Sequence, residues 1–441
     1  MSCSERMLLI MSGNAHQASD LKQMQSLPLE AKIRMTKQRI KVWYESWVRF
    51  EIRDTATGKT RYVTYDTRKG EPPLKDTECI ESAYDGQVYV SFSGGKDSTV
   101  LKHIVDSMYD DVPSLFVNTG LEYPEIQKFA MSQKNVVTVR PEMRFDEVIK
   151  KYGYPAVSKE VAQCVEQAKR NAQTGKYTYR IKRLNNELLD KDGRPSRYNI
   201  PQWRFLLDAD FNISHQCCNV MKKKPAKSYE KETGRKAIIG TLAQESRLRQ
   251  QKWIQHGCNA FEGKRPTSQP LSFWTEQDIL HYIKKYDVPY CSVYGDIQVK
   301  AESEYEGQMN LIDYLDCYEP EDLLETTGCD RTGCIFCMFG CHLEKEPNRF
   351  QRLKQTHPRQ YQYCIGGGEY IYKGTVYTSI NEPREINWIN DDNSPMTDEQ
   401  IEEFIKENKD IPGFKFEKVW QPSKEGLGLG KVLDYIGVKY D

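Results

Sequence analysis

The 441-residue chain has no apolar run approaching the roughly 20 residues that a membrane-spanning helix needs. It has no excess charge of either sign: 63 Lys and Arg balance 63 Asp and Glu. No global field therefore draws it to nucleic acid or to an anionic bilayer, and any such binding has to come from a local patch. Met7–Met11 is apolar but shorter than the hydrophobic stretch of an export signal, and Arg6 alone supplies positive charge before it. Internal repeats and low-complexity tracts are missing as well. These absences leave a cytoplasmic globular chain, large enough for two or three domains.

Cysteine, by contrast, is plentiful. There are 13, and they are unevenly placed: Cys329, Cys334, Cys337 and Cys341 share one short stretch, and Cys217 and Cys218 are adjacent. A secreted disulfide scaffold would be small and carry an export signal, so in a reducing compartment the clustering suggests metal or iron–sulfur ligation. The scattered Cys3, Cys79, Cys164 and Cys291 carry no such implication.

Periodicity divides the chain into four regions: 1–86, 87–300, 301–365 and 366–441. Residues up to about Leu27 lack a pattern and read as loose. Ile33, Ile40, Trp43 and Trp47 recur at near-helical spacing over Leu29–Trp47, and Phe50–Asp66 reads as a hairpin turning over Thr55–Lys59. From Gln87 strands alternate with helices. QVYVSF, SLFVN, NVVTV and KAIIG are the strands, which predicts an α/β fold with a parallel twisted sheet and helices on both faces. Ligands of such sheets bind at the carboxyl ends of the strands, so the loops after Phe92, Asn118 and Gly240 matter most. Thr275 opens a capped helix with Asp278 completing the box. Glu302–Glu325 is acidic and irregular. Small N- and C-terminal additions flank the sheet domain and the Cys-rich region; the C-terminal one contains a hairpin, YIYKGTVYT, and a capped helix from Thr397.

The loop SFSGGKDST (Ser91–Thr99) joins a strand to a helix. Gly94 and Gly95 let consecutive N–H groups converge on one anion, and the helix N-terminus adds partial positive charge. Ser91, Ser93 and Ser98 offer polar contacts and Lys96 a full charge. Asp97 would repel bare phosphate, so a magnesium contact or a capping role suits it. The spacing is not that of a Walker A loop. A solvated Gly-rich turn is the plain alternative.

SGGKDS resembles the PP-loop of the ATP pyrophosphatase superfamily, and its surroundings resemble the phosphoadenosine phosphosulfate (PAPS) reductase family. FVNTGLEYPE resembles that family's second-strand loop, IIGTLAQESRLR its G-x-x-x-x-E-S-x-x-R segment, and PLSFWTEQDILHYI its P-x-x-x-W-(S/T)-x-x-D helix start. The matches run in order from about Gln87 to Asp296. They imply an adenine nucleotide alpha-hydrolase-like fold and an enzyme that binds ATP with Mg2+. Thr119, Gly120, Gly240, Glu245, Ser246 and Arg249 join the loop residues as nucleotide contacts, with Lys96, Asp97 and Arg249 catalytic. Glu245 and Arg249 also suit an ordinary i,i+4 helix pair.

TGCDRTGCIFCMFGCH spaces its cysteines C-x4-C-x2-C-x3-C, so two thiolates can reach one metal from a single turn and the flanking pair can close a shell. Zinc and iron–sulfur are both compatible. Adenylyl sulfate reductases pair a C-C with a distant C-x2-C around a [4Fe–4S] cluster, and CCNVMKKKP resembles the context of that pair. The resemblance favours iron–sulfur, with Cys218, Cys329, Cys334 and Cys337 as ligands and Cys217 and Cys341 in reserve. His342 reads as a surface or packing histidine rather than a ligand. The reductases also carry a catalytic cysteine in an E-C-G-(I/L)-H segment near the C-terminus, whereas the last cysteine here, Cys364, lies in YQYCIGGG.

Ala168–Asn186 interleaves Lys169, Arg170, Lys176, Arg180, Lys182 and Arg183 with Tyr177 and Tyr179, which suits either a nucleic-acid partner or a solvated helix face. MKKKPAK adds charge beside the C-C pair, and GLGLGK (Gly426–Lys431) reads as a turn that follows no strand. Three functions are compatible. One is ATP-dependent adenylation coupled to sulfur transfer onto an acceptor such as tRNA or DNA, with a sulfur-donor protein. The others are a PAPS or adenylyl sulfate reductase and a non-enzymatic nucleotide sensor.

Overall fold

A computed structural model describes residues 16–172, 175–300, 322–377, 383–390, 394–409 and 414–441. The chain forms two compact units. The first takes its residues from 1–141 and 223–333, the second from 142–222 and 334–441.

In the first unit, helix Leu29–Ser46 leads into β1 (Trp47–Asp54), which pairs antiparallel with β2 (Thr60–Asp66) and β3 (Glu78–Tyr84). The expected helix and hairpin are therefore present. The central sheet contains β4 (Val88–Phe92), β5 (Ser114–Val117), β6 (Val136–Val139), β7 (Lys236–Ile239), β8 (Asn259–Ala260) and β9 (Thr267–Ser268), in the order β6-β5-β4-β7-β9-β8. Every pairing is parallel except β8 with β9. A short antiparallel pair, β10 (Ile297–Val299) with β11 (Leu324–Thr326), completes the unit.

Strand alternation sorts the sheet's side chains onto two faces. Val88, Val90 and Phe92 pack with Ile104 and Trp43 from the helices Lys96–Asp106 and Leu29–Ser46. Tyr89, Leu115 and Ala237 pack instead with Tyr229 from the helix Lys224–Thr233. Both faces are covered, so the strands are near-continuous apolar runs, as parallel sheets require.

The second unit carries the antiparallel sheet of β12 (Glu369–Tyr377), β13 (Pro383–Glu385) and β14 (Phe414–Gln421), with β12 in the centre. Helices Lys159–Ala172, Tyr179–Leu184, Arg349–Thr356 and Pro358–Ile365 belong to the same unit.

Four local expectations need correction. The N-terminal stretch is not wholly loose: Ala18–Gln25 is a helix, with Leu21 and Met24 buried in the core. YIYKGTVYT is not itself a hairpin; Tyr370–Tyr377 lies in the single strand β12, which pairs antiparallel with β13 shortly after it and with the more distant β14. Thr378 and residues 302–321 of the acidic stretch lie outside the described residues. The end of that stretch, Leu324 and Glu325, belongs to the strand Leu324–Thr326 rather than being irregular. Gly426–Lys431 does follow a strand, β14, and starts a helix: Gly428, at φ 66°, caps Leu429–Tyr435.

The first unit is locked by a buried ion pair. Lys32 Nζ lies 2.8 and 2.7 Å from the two Asp278 oxygens and donates to Gln25 O at 2.6 Å. The two side chains are only 3% and 12% exposed. Asp278 also accepts from the N–H and hydroxyl of Thr275, closing the capping box expected there. Removing one partner leaves the other charge buried and uncompensated. Lys32→Met is expected to cost about 3–5 kcal/mol in urea denaturation, whereas an exposed pair would cost under about 1 kcal/mol.

Candidate functional site

Because β4 pairs in parallel with both β5 and β7, the loops that follow these three strands emerge side by side at one edge. They are Ser93–Gly95, Asn118–Gly120 and Gly240–Glu245, which bring together the nucleotide contacts expected from the sequence. Gly94 adopts φ +73°, where a side chain is strained, and an added Cβ would sit 3.0 Å from Ile126. Gly240 allows another close approach, since a Cβ there would lie 3.0 Å from Asp97 O.

Three of the loop's backbone donors are engaged within the protein. Ser93 N–H bonds Ser98 Oγ at 3.2 Å, and Ser98 Oγ donates to Gly95 O at 2.9 Å. Gly95 N–H points to Ser93 Oγ at 3.4 Å, and Lys96 N–H donates to the Tyr294 hydroxyl at 3.1 Å. Lys96, 5% exposed, directs its ammonium to Asp330 O at 2.7 Å and to Glu276 at 2.9 Å. Thr119 is engaged locally, its N–H and hydroxyl both donating to Glu122.

Sequence reasoning missed the strap that supplies some of these partners. Gly328 N–H bonds Tyr294 O at 2.8 Å and Cys329 N–H bonds Val293 O at 3.0 Å, so the chain after β11 runs along Val293–Tyr294. A Cβ on Gly328 would stand 2.4 Å from Val293 O, so only glycine fits. Asp330, Arg331 and Thr332 then lie on the loop. Asp330 takes the Lys96 ammonium, Arg331 approaches Glu245 at 3.3 Å, and the Thr332 hydroxyl meets the Tyr294 hydroxyl at 2.6 Å. Burial holds the Tyr294 phenol up at about 12, so it stays protonated. The one available signal was Gly328 just before the cysteine run.

Glu245 also pairs with Arg249, and its carboxylate accepts from Leu242 N–H at 3.2 Å. Ser246 caps the helix Arg247–His256 by accepting from Arg249 N–H. These residues lie at the sheet's carboxyl edge with their polar groups already engaged, so an incoming phosphate would have to exchange partners with them.

Asp97 is different. Its Oδ1 is buried and has no hydrogen-bond partner among the described residues. Burial raises its carboxyl to about 6; Lys96 opposes the shift, and Glu245 and Glu276 add to it. An orphaned carboxylate oxygen beside a phosphate loop fits Mg2+, which binds through one or two carboxylates together with substrate phosphates. Among the described residues, no group of three or more His, Cys, Asp or Glu is gathered closely enough to hold a metal by itself.

That last observation bears on the cysteines too. The second unit brings Cys217 and Cys218 to 3.9 Å, near the about 3.8 Å edge of a thiolate tetrahedron around zinc. The pair divides its protonation unequally. The hydrogen bond from the Cys217 thiol, with the ammonium groups of Lys159 and Lys222, holds Cys218 below its ordinary value, while Cys217 is pushed up. Cys334 and Cys337, linked by Cys337 N–H to Cys334 O at 3.0 Å, lie within electrostatic range of Cys217. Cys341 is buried, donates to Met338 O at 3.0 Å, and burial raises its thiol to about 12. Cys329 belongs to the first unit. The donor chemistry suits a thiophilic metal, and among the described residues no group of three or more such side chains is gathered around one point. His342 packs edge-on to Trp203 at 5.2 Å, as expected of a packing histidine.

The raised Asp97 carboxyl sets a pH dependence. The folded chain keeps this proton to about pH 6 and the unfolded chain releases it near 3.8. Stability from this group is therefore full at the acid end and falls as pH rises through about 6. Without nucleotide, Asp97→Asn is expected to melt a few degrees above the parent near pH 7.5 and to lose that advantage near pH 4. An equal difference at both pH values would refute the assignment.

Known proteins supply an independent comparison. Residues 87–191 and 197–339 match the phosphoadenosine phosphosulfate reductase domain, over more than half of the chain. An uncharacterized protein of Methanocaldococcus jannaschii is 35% identical over 72 residues, which is 15% of this chain and 18% of that protein's length. The family match takes in the phosphate loop, the strap, Cys217, Cys218, Cys329, Cys334 and Cys337. With strand order, loop and motifs in agreement, the chain belongs to the phosphoadenosine phosphosulfate reductase family of PP-loop proteins.

Proposed function

We propose that this family member is an ATP-dependent adenylating enzyme whose activated acceptor is then attacked by sulfur. An acceptor oxygen attacks the α-phosphorus of ATP, the bond between the α- and β-phosphates breaks, and pyrophosphate leaves. A sulfur nucleophile then displaces AMP from the acceptor. The observation that carries this reading is the glycine loop at the carboxyl edge of β4, with a nearly closed lysine and an orphaned Asp97 oxygen at the start of one helix.

Each residue has a task in this scheme. The N–H groups of Gly94–Lys96 and the hydroxyls of Ser93 and Ser98 would cradle the leaving pyrophosphate. Lys96 would exchange Asp330 O and Glu276 for phosphate oxygens, and Asp97 would hold Mg2+ against them. Thr119, Gly120, Gly240, Glu245 and Ser246 would border the nucleotide. Arg249, released from Glu245, would fork onto phosphate. Cys218, Cys334 and Cys337, with Cys217 beside them, would hold an iron–sulfur cluster or zinc. A cluster would supply electron or sulfur chemistry. The acceptor class is a nucleic acid, tRNA or DNA, and a protein would donate the sulfur.

A reductase reading is less well supported. That reaction needs a mobile nucleophilic thiol, and Cys364, the last cysteine, is 0% exposed with its thiol pushed well above its ordinary value by burial.

Anaerobically purified protein incubated with Mg-ATP and a mixed tRNA and DNA pool is expected to release AMP and pyrophosphate. Lys96→Ala should slow this at least about 100-fold, in the range for losing a preorganised charge contact in a transition state. Intact ATP together with sulfite released from adenylyl sulfate would replace this reading with the reductase one. Binding of ATP without turnover of either would leave a nucleotide sensor.

A further inference from the structure

The second unit contains a cavity of about 200 Å3 that the nucleotide reaction does not use. One wall is the helix Lys159–Ala172. Gln163, Glu166, Gln167 and Arg170 recur on it at i, i+3, i+4 and i+7, which is one face of a helix. The opposite face carries Val161, Ala162, Cys164, Val165 and Ala168, all buried. The remaining wall comes from Arg180 and from His215–Gln216, the two residues immediately before Cys217.

Charge in this cavity is unevenly settled. Its one carboxylate, Glu166, is engaged through Oε2, which accepts from Ser214 Oγ at 3.0 Å and contacts His215 Nδ1 at 2.7 Å. Arg180 donates to the neutral amide oxygen of Gln167 at 2.9 Å, so its positive charge is oriented but not cancelled. Arg170 is exposed and has no ion-pair partner among the described residues. Other basic residues of the same segment are committed to structure. Lys169 donates to Ala209 O and Phe211 O, and Arg183 is buried against Glu160 and Tyr198 O. The segment thus separates structural cations from two guanidiniums left facing a cavity.

We propose that this cavity is a second anion site, separate from the phosphate loop, which takes a phosphate-ester group through Arg170 and Arg180. Guanidiniums fork onto phosphate oxygens where ammonium groups act as point charges. The cavity is larger than one phosphate needs, and the Gln163 and Gln216 carboxamides offer both donors and acceptors to the organic part of the ligand. The site lies next in sequence to Cys217–Cys218, so an ester held there is presented beside the thiol pair. Two sources share this chemistry: a free mononucleotide and a phosphodiester in a nucleic-acid strand. The inference stands on the cavity and does not depend on the adenylation scheme.

The test uses the full chain carrying Lys96→Ala, so that the phosphate loop contributes little. The probes are adenosine 5′-monophosphate and a 12-nucleotide single strand with hydroxyl ends, titrated separately at low salt. At least one should bind, and Arg170→Ala with Arg180→Ala should weaken it at least about ten-fold. Loss of strand binding alone identifies a nucleic-acid site, and loss of mononucleotide binding alone a small-molecule site. Arg170→Lys with Arg180→Lys keeps the charge but not the fork and should fall between parent and alanine variant, which keeps the test decisive if the alanine variant unfolds. No binding of either probe, or binding indifferent to both pairs of substitutions, overturns the proposal.

Discussion

A lysine ammonium that is almost closed off from water has to be met by compensating groups, and this requirement organises the whole phosphate loop. Lys96 leads the helix that follows β4, where packing against the sheet leaves it 5% exposed. A carboxylate and a carbonyl meet its charge, and a phenol takes its amide. The carboxylate, Glu276, opens the helix whose Asp278 locks Lys32, so the loop is tied to the core by two successive ion pairs. The carbonyl, from Asp330, requires the strap to lie where it does, and Gly328 makes that path possible. A phosphate entering this loop would therefore have to exchange partners with it, and its net binding strength would be the difference between two sets of charge-assisted hydrogen bonds.

Asp97 is the counterpart. Its neighbours cannot all be satisfied at once: the charge of Lys96 favours the carboxylate, while burial and two nearby glutamates oppose it. A divalent cation arriving with phosphate would resolve that conflict. The cysteine pair follows similar logic. Two thiols lie 3.9 Å apart, and the hydrogen bond from Cys217, helped by nearby lysines, favours the thiolate on Cys218. In both places the chain concentrates groups whose ordinary protonation states are incompatible, as functional sites commonly do.

Much of this was legible from the sequence because it is local. The strands β4 to β7 read correctly, since apolar runs bounded by turn residues leave few alternatives. The Thr275 and Thr397 caps read correctly because a hydroxyl three residues before an acid or amide states its own geometry. Failures came where distant residues decide. YIYKGTVYT has hairpin composition, but pairing with Phe414–Gln421 keeps Gly374 within a continuous strand. Ala18–Gln25 has weak periodicity and is helical because Leu21 and Met24 find a core to enter. Among the basic residues at 169–183, no local signal distinguished Arg170 and Arg180 from Lys169 and Arg183; the carbonyls and carboxylate that engage the latter pair come from elsewhere in the chain.

The sequence by itself determined the family, the α/β alternation, the glycine loop and the residues available to it. Those follow from short-range rules: backbone freedom at glycine, strand and helix periodicity, and the spacing of a motif. The tertiary structure alone decided how the charges are settled. It set Glu245 on Arg331, closed Lys96 with Glu276 and Asp330, left one oxygen of Asp97 without a partner among the described residues, and buried Cys364 and Cys341. Electrostatic pairing and desolvation depend on distance through space, which a linear order of residues does not contain.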